Sequence, residues 1–169
     1  TRPTGITSGD FNDDAFVDLV VANRGTTLDG TTISLLLGKG DGTFQNATNI
    51  TLPVGKIGPA DIVAGQLDPL DGQLDLVVSV ANSNELVLMR GQGNGTFNIT
   101  SFASCEGPED LELGYFDGNS VLDIAMLGQL NDGSPDGLCV YTGNTDGTFN
   151  TNIIGRSGGW PYALAAGAL

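Results

Sequence analysis

The sequence predicts an all-β fold made of β-propeller-like blades, each with four antiparallel strands. The chain repeats itself with a period of about 50 residues, which lies in the range of propeller blades. Each repeat contains short apolar runs separated by Gly and Asn turn signals, which is typical of strands, and 26 of the 169 residues are Gly. No stretch shows the sustained periodicity, with capping residues, that marks a helix.

Three features recur in the same order and define the repeats. A Pro stands six residues before a Gly, an acidic loop then ends in an Asp before an apolar run, and a Gly-rich turn ends in Gly-Thr-Phe. The Pro and Gly pairs are Pro3/Gly9, Pro59/Gly65, Pro108/Gly114 and Pro161/Gly167. These features divide the chain into repeat 1 (1–58), repeat 2 (59–107), repeat 3 (108–160) and the first strand of a fourth, incomplete repeat (161–169).

In repeat 1 the four strands are predicted over residues 4–11, 18–22, 32–37 and 43–50. The phenylalanines that end the Gly-Thr-Phe turns, Phe44, Phe97 and Phe149, are expected to pack between blades. Closed propellers use roughly four to eight blades, so three repeats do not close a ring. The chain is then a fragment of a larger ring, or one of several chains that complete it, or an open stack whose end strand pairs with a neighbour.

The first acidic loop, residues 10–18, has the spacing of a calcium site. Oxygen-bearing side chains stand at loop positions 1, 3, 5 and 9, which are Asp10, Asn12, Asp14 and Asp18. The carbonyl of Phe16 would add a further oxygen, and Ca²⁺ takes roughly 6–8 oxygen ligands. An EF-hand is excluded because it needs Glu at position 12 and flanking helices. That position holds a Val inside an apolar run.

The run Gly9-Asp10-Phe11-Asn12-Asp13-Asp14, followed by Asp18-Leu19-Val20 and joined to the three Gly-Thr-Phe turns, resembles the FG-GAP/VCBS repeat family. This family includes the repeats of integrin α-subunit propellers and of many secreted or cell-surface proteins. The resemblance implies that the first loop of a blade binds Ca²⁺. In this chain the matching ligands are Asp10, Asn12, Asp14, the Phe16 carbonyl and Asp18.

The other two loops depart from that pattern. Position 1 is Gln66 in the second loop, which also has one inserted residue, and Tyr115 in the third. The remaining candidate ligands are Asp68, Asp71 and Asp75 in the second loop and Asp117, Asn119 and Asp123 in the third. For all three loops the alternative is a hydrogen-bonded Asx turn without metal, because Asp and Asn cap such turns unaided.

The composition argues against several classes of function. The net charge of −14 disfavours binding to nucleic acid, which needs a basic face, and to an anionic membrane surface. No apolar run is long enough for membrane insertion. The chain has no His, which removes the usual general base and many zinc sites, and no separate pair of carboxylates stands out. The chain is therefore predicted not to be an enzyme.

Four N-glycosylation sequons point to an extracellular location and to N-linked glycans. Their acceptors are Asn46, Asn49, Asn94 and Asn98. The two cysteines, Cys105 and Cys139, form one disulfide or remain two buried thiols, and spacing alone does not decide between these. An extracellular compartment favours the disulfide.

Together these features predict an extracellular, calcium-stabilised, non-enzymatic structural module. It would form fibres or surfaces through end-strand or blade–blade docking, with copies of itself or adjoining repeats as protein partners. The alternative is a ligand-binding adhesion module within a larger closed propeller. An accessory domain of a glycan-active enzyme is a third, weaker possibility.

Overall fold

The computed structural model describes residues 2–27, 29–128, 137–156 and 164–165, with only the backbone for 151–156. The described residues form twelve strands and one 3₁₀ turn, Ala81–Ser83. The all-β prediction is confirmed. The predicted strand of a fourth repeat lies outside the described residues, apart from Leu164 and Ala165.

The strands form three four-stranded antiparallel sheets, in each of which neighbours in sequence are neighbours in space. Sheet 1 contains β1 (Pro3–Gly9), β2 (Asp18–Asn23), β3 (Thr32–Leu36) and β4 (Thr48–Thr51). Sheet 2 contains β5 (Pro59–Gly65), β6 (Asp75–Val80), β7 (Glu85–Gly91) and β8 (Phe97–Ala103). Sheet 3 contains β9 (Pro108–Gly114), β10 (Asp123–Gly128), β11 (Gly137–Gly143) and β12 (Phe149–Arg156). The described sheets do not close into a ring.

The first strand of every sheet begins at a Pro. A strand tolerates Pro at its first residue because no ladder hydrogen bond from an N–H is needed there. The fourth strand of repeat 1 begins later than predicted, at Thr48. Asp41 Oδ1 accepts hydrogen bonds from both the N–H and the hydroxyl of Thr43, at 2.9 and 2.6 Å. After this turn, Phe44 forms an isolated bridge to Gly38.

The sheets pack in chain order around two apolar cores. Core 1 lies between sheets 1 and 2 and includes Val20, Ala22, Ile33 and Leu35 of sheet 1 with Ile62, Leu76, Val78 and Met89 of sheet 2. Core 2 lies between sheets 2 and 3 and includes Val77, Leu86 and Leu88 of sheet 2 with Leu111, Ile124, Met126 and Tyr141 of sheet 3. Both faces of β6 are buried, so sheet 2 is the middle layer.

Contacts across the stack reinforce this order. The first strands of the sheets, β1, β5 and β9, contact one another in succession. Arg24, directly after β2, reaches past sheet 2 to Glu109 on β9, where both guanidinium nitrogens bond the carboxylate at 2.6 Å. Two of the three turn phenylalanines pack as predicted, Phe97 against core 1 and Phe149 against core 2. Phe44 packs against neither core, and the expectation for this residue is wrong because no sheet covers that side of sheet 1 in the described structure.

Candidate metal centre

Each acidic loop joins the first and second strands of its sheet and ends in a buried Asp. Asp18, Asp75 and Asp123 are all 0% exposed. Asp18 Oδ2 accepts a hydrogen bond from the Phe11 N–H at 2.9 Å, and its Oδ1 accepts one from the Gly38 N–H at 2.8 Å. The carboxylate therefore ties the start of the loop to Gly38, two residues beyond β3.

The same connection recurs in the other two sheets. Asp75 accepts the N–H groups of Leu67, Asp68 and Gly91. Asp123 accepts those of Phe116, Asp117 and Gly143. A carboxylate that accepts several buried N–H groups holds the loop together without a metal. The sequence predicted metal ligands or local Asx turns at these positions, and did not predict their bonds to the distant Gly38, Gly91 and Gly143. The available signal was that the last Asp recurs in all three loops whereas the first position does not.

The first loop has an acidic side chain at position 1. Asp10 accepts the N–H groups of Asn12, Asp14 and Ala15, the last at 2.7 Å. Burial alone would raise the pKa of Asp10, but the backbone N–H groups, that of Ala15 foremost, outweigh it and hold the pKa below its ordinary value. The lowered pKa thus favours an ionised Asp10 carboxylate at the first position of the loop.

The amide of Asn12 supplies the observation that fits a metal. Its Nδ2 donates to Asp14 Oδ2 at 2.9 Å, whereas its Oδ1 is buried and accepts no hydrogen bond from the described residues. A buried acceptor without a partner is costly, and an amide oxygen beside carboxylates is a ligand type that Ca²⁺ takes. Loop 1 therefore fits Ca²⁺, with Asp10, Asn12 and Asp14 as the side chains that would hold it.

The described residues contain no group of three or more Asp, Glu, Cys or His side chains arranged to hold a metal ion. In loop 1 the carboxylates of Asp10 and Asp14 are engaged by N–H groups of the loop itself. Binding Ca²⁺ would require these carboxylates to exchange some of those hydrogen bonds for metal contacts.

The backbone of loop 1 is bent sharply. Asp13 and Ala15 have φ of 58° and 68°, in the left-handed region that Asp tolerates and Ala does not favour. In the second loop, Gly72 stands the same three residues before the last Asp, with φ of 74°. The hydrogen bond from the Ala15 N–H to Asp10 therefore holds Ala15 in a conformation that costs roughly 1–2 kcal/mol.

The second loop differs in its charges. Asp68 Oδ1 accepts the Leu70 N–H and Asp71 Oδ1 accepts the Gln73 N–H, both at 3.0 Å, which are Asx turns. Arg90 Nη1 lies 3.8 Å from an oxygen of Asp68 and 3.8 Å from an oxygen of Asp75. Burial raises the pKa of Asp75, and the three N–H donors and the Arg90 guanidinium oppose that rise.

In the third loop the predicted ligands are engaged in turns. Asp117 accepts the Asn119 N–H at 3.0 Å and its amide Nδ2 at 2.7 Å. Asn119 Oδ1 accepts the Val121 N–H at 2.6 Å. The geometry of this loop is that of consecutive Asx turns, and calcium binding here stays a prediction.

The first acidic loop also meets the Gly-rich turn of the next repeat. At the junction of sheets 1 and 2, the Gly95 N–H donates to the Phe11 carbonyl at 2.8 Å. A side chain at Gly93 would clash with Asp13, so the turn lies directly on the loop. At the junction of sheets 2 and 3, Arg90 Nη2 donates to the Gly147 carbonyl. A ligand that stiffens the first acidic loop would therefore also stiffen the junction between sheets 1 and 2.

Comparison with known families agrees with this arrangement. A family model described as an FG-GAP-like repeat matches residues 10–69. The match covers 60 of the 169 residues and shows that this segment is similar to an FG-GAP-like repeat. The match begins at Asp10 and runs through Asp68, so it covers the whole first acidic loop and the start of the second. It confirms the resemblance found in the sequence. No curated protein and no solved structure matches the chain.

The cysteines lie beside the junction of sheets 2 and 3. Cys105, in the link between β8 and β9, is bonded to Cys139 on β11, with their Cα atoms 6.6 Å apart. The Cys105 N–H donates to the Tyr141 hydroxyl at 2.8 Å. At the junction of sheets 2 and 3, the Cys105–Cys139 disulfide thus adds a covalent bond to the hydrogen bonds.

All four predicted glycosylation acceptors, Asn46, Asn49, Asn94 and Asn98, are exposed. Asn94 Oδ1 accepts the N–H and the hydroxyl of Thr96, the third residue of its own sequon. Asn49 Oδ1 accepts the Ser34 hydroxyl at 2.7 Å. Glycosylation of these side chains stays a prediction. In the part of the chain that the structure describes, no helix is long and apolar enough to cross a membrane.

A pair of carboxyl groups lies where β5 and β9 meet. Asp61 Oδ2 accepts the Leu111 N–H at 3.0 Å, and the Asp61 side chain also bonds that of Asp110. Burial raises the pKa of Asp61 to about 6; Asp110 adds to the rise, and the N–H groups of Ile62 and Leu111 oppose it. Asp110 in turn accepts the N–H of Leu164, and Asp61 links β5 to β9.

Replacing Asp61 with Asn is expected to stabilise the fold at neutral pH. A raised folded-state pKa favours the protonated form, so stability is lost as pH rises from 3.8 towards about 6. That shift corresponds to roughly 3 kcal/mol, which partial solvent access reduces to about 1 kcal/mol. Asn keeps an acceptor for the Leu111 N–H and gains a donor to Asp110. Urea unfolding should show the gain at pH 7.5 and a much smaller gain at pH 4.

The matched control is Asp41→Asn. The hydroxyl and N–H of Thr43 lower the pKa of Asp41, so this substitution should give no gain at neutral pH. Equal stability of Asp61→Asn and the wild type across this pH range would contradict a raised pKa of Asp61 in the folded state.

Proposed function

We propose that the chain is an extracellular, calcium-stabilised, non-enzymatic repeat module that builds a structural assembly with copies of itself. The observation that carries this proposal is an uncovered face of sheet 1. Ile6 on β1 is 63% exposed, whereas Ile62 and Leu111, at the same position of β5 and β9, are 1% and 2% exposed. In sheets 2 and 3 this position is buried against the preceding sheet; in sheet 1 it is open.

The free face of sheet 1 consists of Ile6, Leu19, Val21, Ser34 and Leu36, and the predicted glycan acceptor Asn49 lies at its edge on β4. The β-strand alternation places these residues opposite Val20, Ala22, Ile33 and Leu35, which fill core 1. Pairing brings Ile6 beside Val21 and Leu19 beside Leu36. Ser34 and Asn49 continue the row with a side-chain hydrogen bond. An apolar centre with a polar margin is the composition of a protein–protein interface.

A second copy of the chain is the occupant that we propose for this face. The opposite end of the stack carries Tyr115 and Phe116 in the third acidic loop, 60% and 44% exposed. At the junction of sheets 1 and 2, the Gly-rich turn of sheet 2 lies on the acidic loop of sheet 1. If loop 3 of one copy receives turn 1 of the next, the contact is head-to-tail. Such a contact forms an open filament when its rotation does not close.

In this proposal, Ca²⁺ bound to loop 1 stiffens the junction between sheets 1 and 2. When bound, Ca²⁺ would neutralise carboxylates of loop 1 and connect them to the Asn12 amide oxygen. The residues of this loop hold the Gly95 turn through the Phe11 carbonyl, so a stiffer loop means a stiffer junction. The net charge of −14 opposes self-association, and bound cations reduce that repulsion.

Other features support the location and the non-catalytic role. A disulfide joins Cys105 to Cys139, and such bonds persist in oxidising compartments. The four sequon acceptors are exposed. The chain has no His, and the carboxylates of the acidic loops hold turns and junctions. The free face also favours one alternative: a preceding repeat of a larger closed propeller that recognises a ligand would cover Ile6 equally well.

Replacing Ile6 with Asp is expected to weaken self-association at least tenfold, because a charge would have to be buried in the apolar part of the interface. Analytical ultracentrifugation over a range of protein concentrations, in millimolar Ca²⁺, measures this effect. Val54→Asp is the matched control, since Val54 is 102% exposed on a loop outside the free face. A wild-type chain that stays monomeric at all these concentrations would refute the assembly proposal and favour the propeller alternative. Association of Ile6→Asp equal to that of the control would show that assembly uses another surface.

A further inference from the structure

We infer that Arg90 is the built-in cation of the second acidic loop, where it takes the place of Ca²⁺. This inference rests on the proposed calcium role of loop 1, because it explains why the second copy of that loop would not share it. It predicts that the described repeats differ in their cation: a metal ion at the junction of sheets 1 and 2, and an arginine at the junction of sheets 2 and 3.

The geometry places the guanidinium between the two carboxylates that a metal would need. Nη1 is 3.8 Å from Asp68 Oδ2 and equally far from Asp75 Oδ2. This nitrogen is buried and makes no hydrogen bond within the described residues. Its contact with the carboxylates is therefore one of charge. The Asp75 carboxylate is 0% exposed, and a buried charge needs an opposite charge close by.

The position of Arg90 in the repeat explains the difference from loop 1. Arg90 directly precedes Gly91, whose N–H bonds the last Asp of its loop. The residue that directly precedes Gly38 in repeat 1 is Leu37, which packs against core 1. No Arg or Lys pairs with Asp10 or Asp14 in the described part of the chain. Loop 1 thus keeps both its carboxylates and the unpartnered Asn12 oxygen, whereas in loop 2 a cation already lies beside Asp68 and Asp75.

The same side chain performs the mechanical task that we assign to calcium in loop 1. Nη2 of Arg90 donates to the Gly147 carbonyl in the turn of repeat 3. Gly147 has no room for a side chain because Arg90 fills that space. One guanidinium therefore neutralises loop 2 and fastens the next sheet to it. A Ca²⁺ ion between Asp68 and Asp75 would have to displace this cation and break its bond to Gly147.

Calcium titration by isothermal calorimetry tests the inference with Ca²⁺ alone as the probe. The wild type is expected to bind one ion in its first two loops, and Arg90→Leu, which installs the residue of repeat 1, is expected to gain one further site. Lys39→Leu removes the same charge from an exposed position and should leave the stoichiometry unchanged. No additional site in Arg90→Leu would overturn the inference. A wild type that binds no calcium, with a site gained in Arg90→Leu, would refute the calcium role of loop 1 and support that of Arg90.

Hydrogen exchange on the wild type gives a second test that does not depend on the folding of a variant. Calcium should slow exchange of the Phe11 and Gly95 N–H groups, which bond Asp18 and the Phe11 carbonyl, by tenfold or more. It should leave those of Leu67 and Gly91, which bond Asp75, unchanged. Equal slowing at both loops would contradict the inference.

Discussion

Chelation of calcium is expected to lower the melting temperature of the chain by roughly 8–16 °C. A ligand that binds only the folded state stabilises it by about 4 kcal/mol when its concentration is a thousand times its dissociation constant. For a domain of this size, each kcal/mol moves the melting temperature by about 2–4 °C. Thermal melts followed by circular dichroism, in millimolar Ca²⁺ and in excess EGTA, measure the difference.

The fall in melting temperature on chelation should depend on loop 1. Asn12→Ala removes the buried oxygen that lacks a partner, so the melting temperature of this variant should respond much less to chelation. Asn119→Ala, the matched change in loop 3, should keep the full response because Asn119 Oδ1 already accepts the Val121 N–H. A wild-type melting temperature that is unchanged by EGTA would refute a stabilising role for calcium.

Replacing Asp123 with Ala is expected to destabilise the fold by about 4 kcal/mol. The substitution leaves the N–H groups of Phe116, Asp117 and Gly143 without their acceptor, and each unsatisfied buried donor costs about 1–3 kcal/mol. Asp123 is 0% exposed, so water does not readily replace the carboxylate. Urea unfolding at neutral pH, with the slope of the transition compared between variants, measures the change.

Two further variants define the origin of that loss. Asp117→Ala removes an exposed carboxylate that, among the described residues, accepts hydrogen bonds only from Asn119, and should cost less than about 1 kcal/mol. Asp123→Asn keeps one acceptor but points its amide donor at an N–H, so an intermediate loss is expected. If Asp123→Ala were no more harmful than Asp117→Ala, the buried carboxylate would not hold the loop.

The sequence by itself determined the repeat order, the all-β class and the four-strand pattern of each sheet. These features depend on local signals. Alternating apolar residues form the strands, Pro starts the first strand of each sheet, and Gly permits the turns. The candidate calcium loop at residues 10–18 could also be found, because its ligands would come from one short stretch of chain. The late start of β4 was not predicted, since Thr43 donates to Asp41 the same hydrogen bonds that Thr96 and Thr148 make in turns followed directly by a strand.

Only the tertiary structure decided what each copy of a repeated residue does. Ile6 and Ile62 occupy the same place in their repeats, yet one is exposed and the other is buried, because a preceding sheet covers only the second. Asp18, Asp75 and Asp123 became carboxylate ties once the chain brought distant N–H groups to them. Arg90 met Asp68 and Asp75 for the same reason. Local pattern fixes an element, whereas the charge and burial of a side chain depend on neighbours that sequence spacing does not reveal.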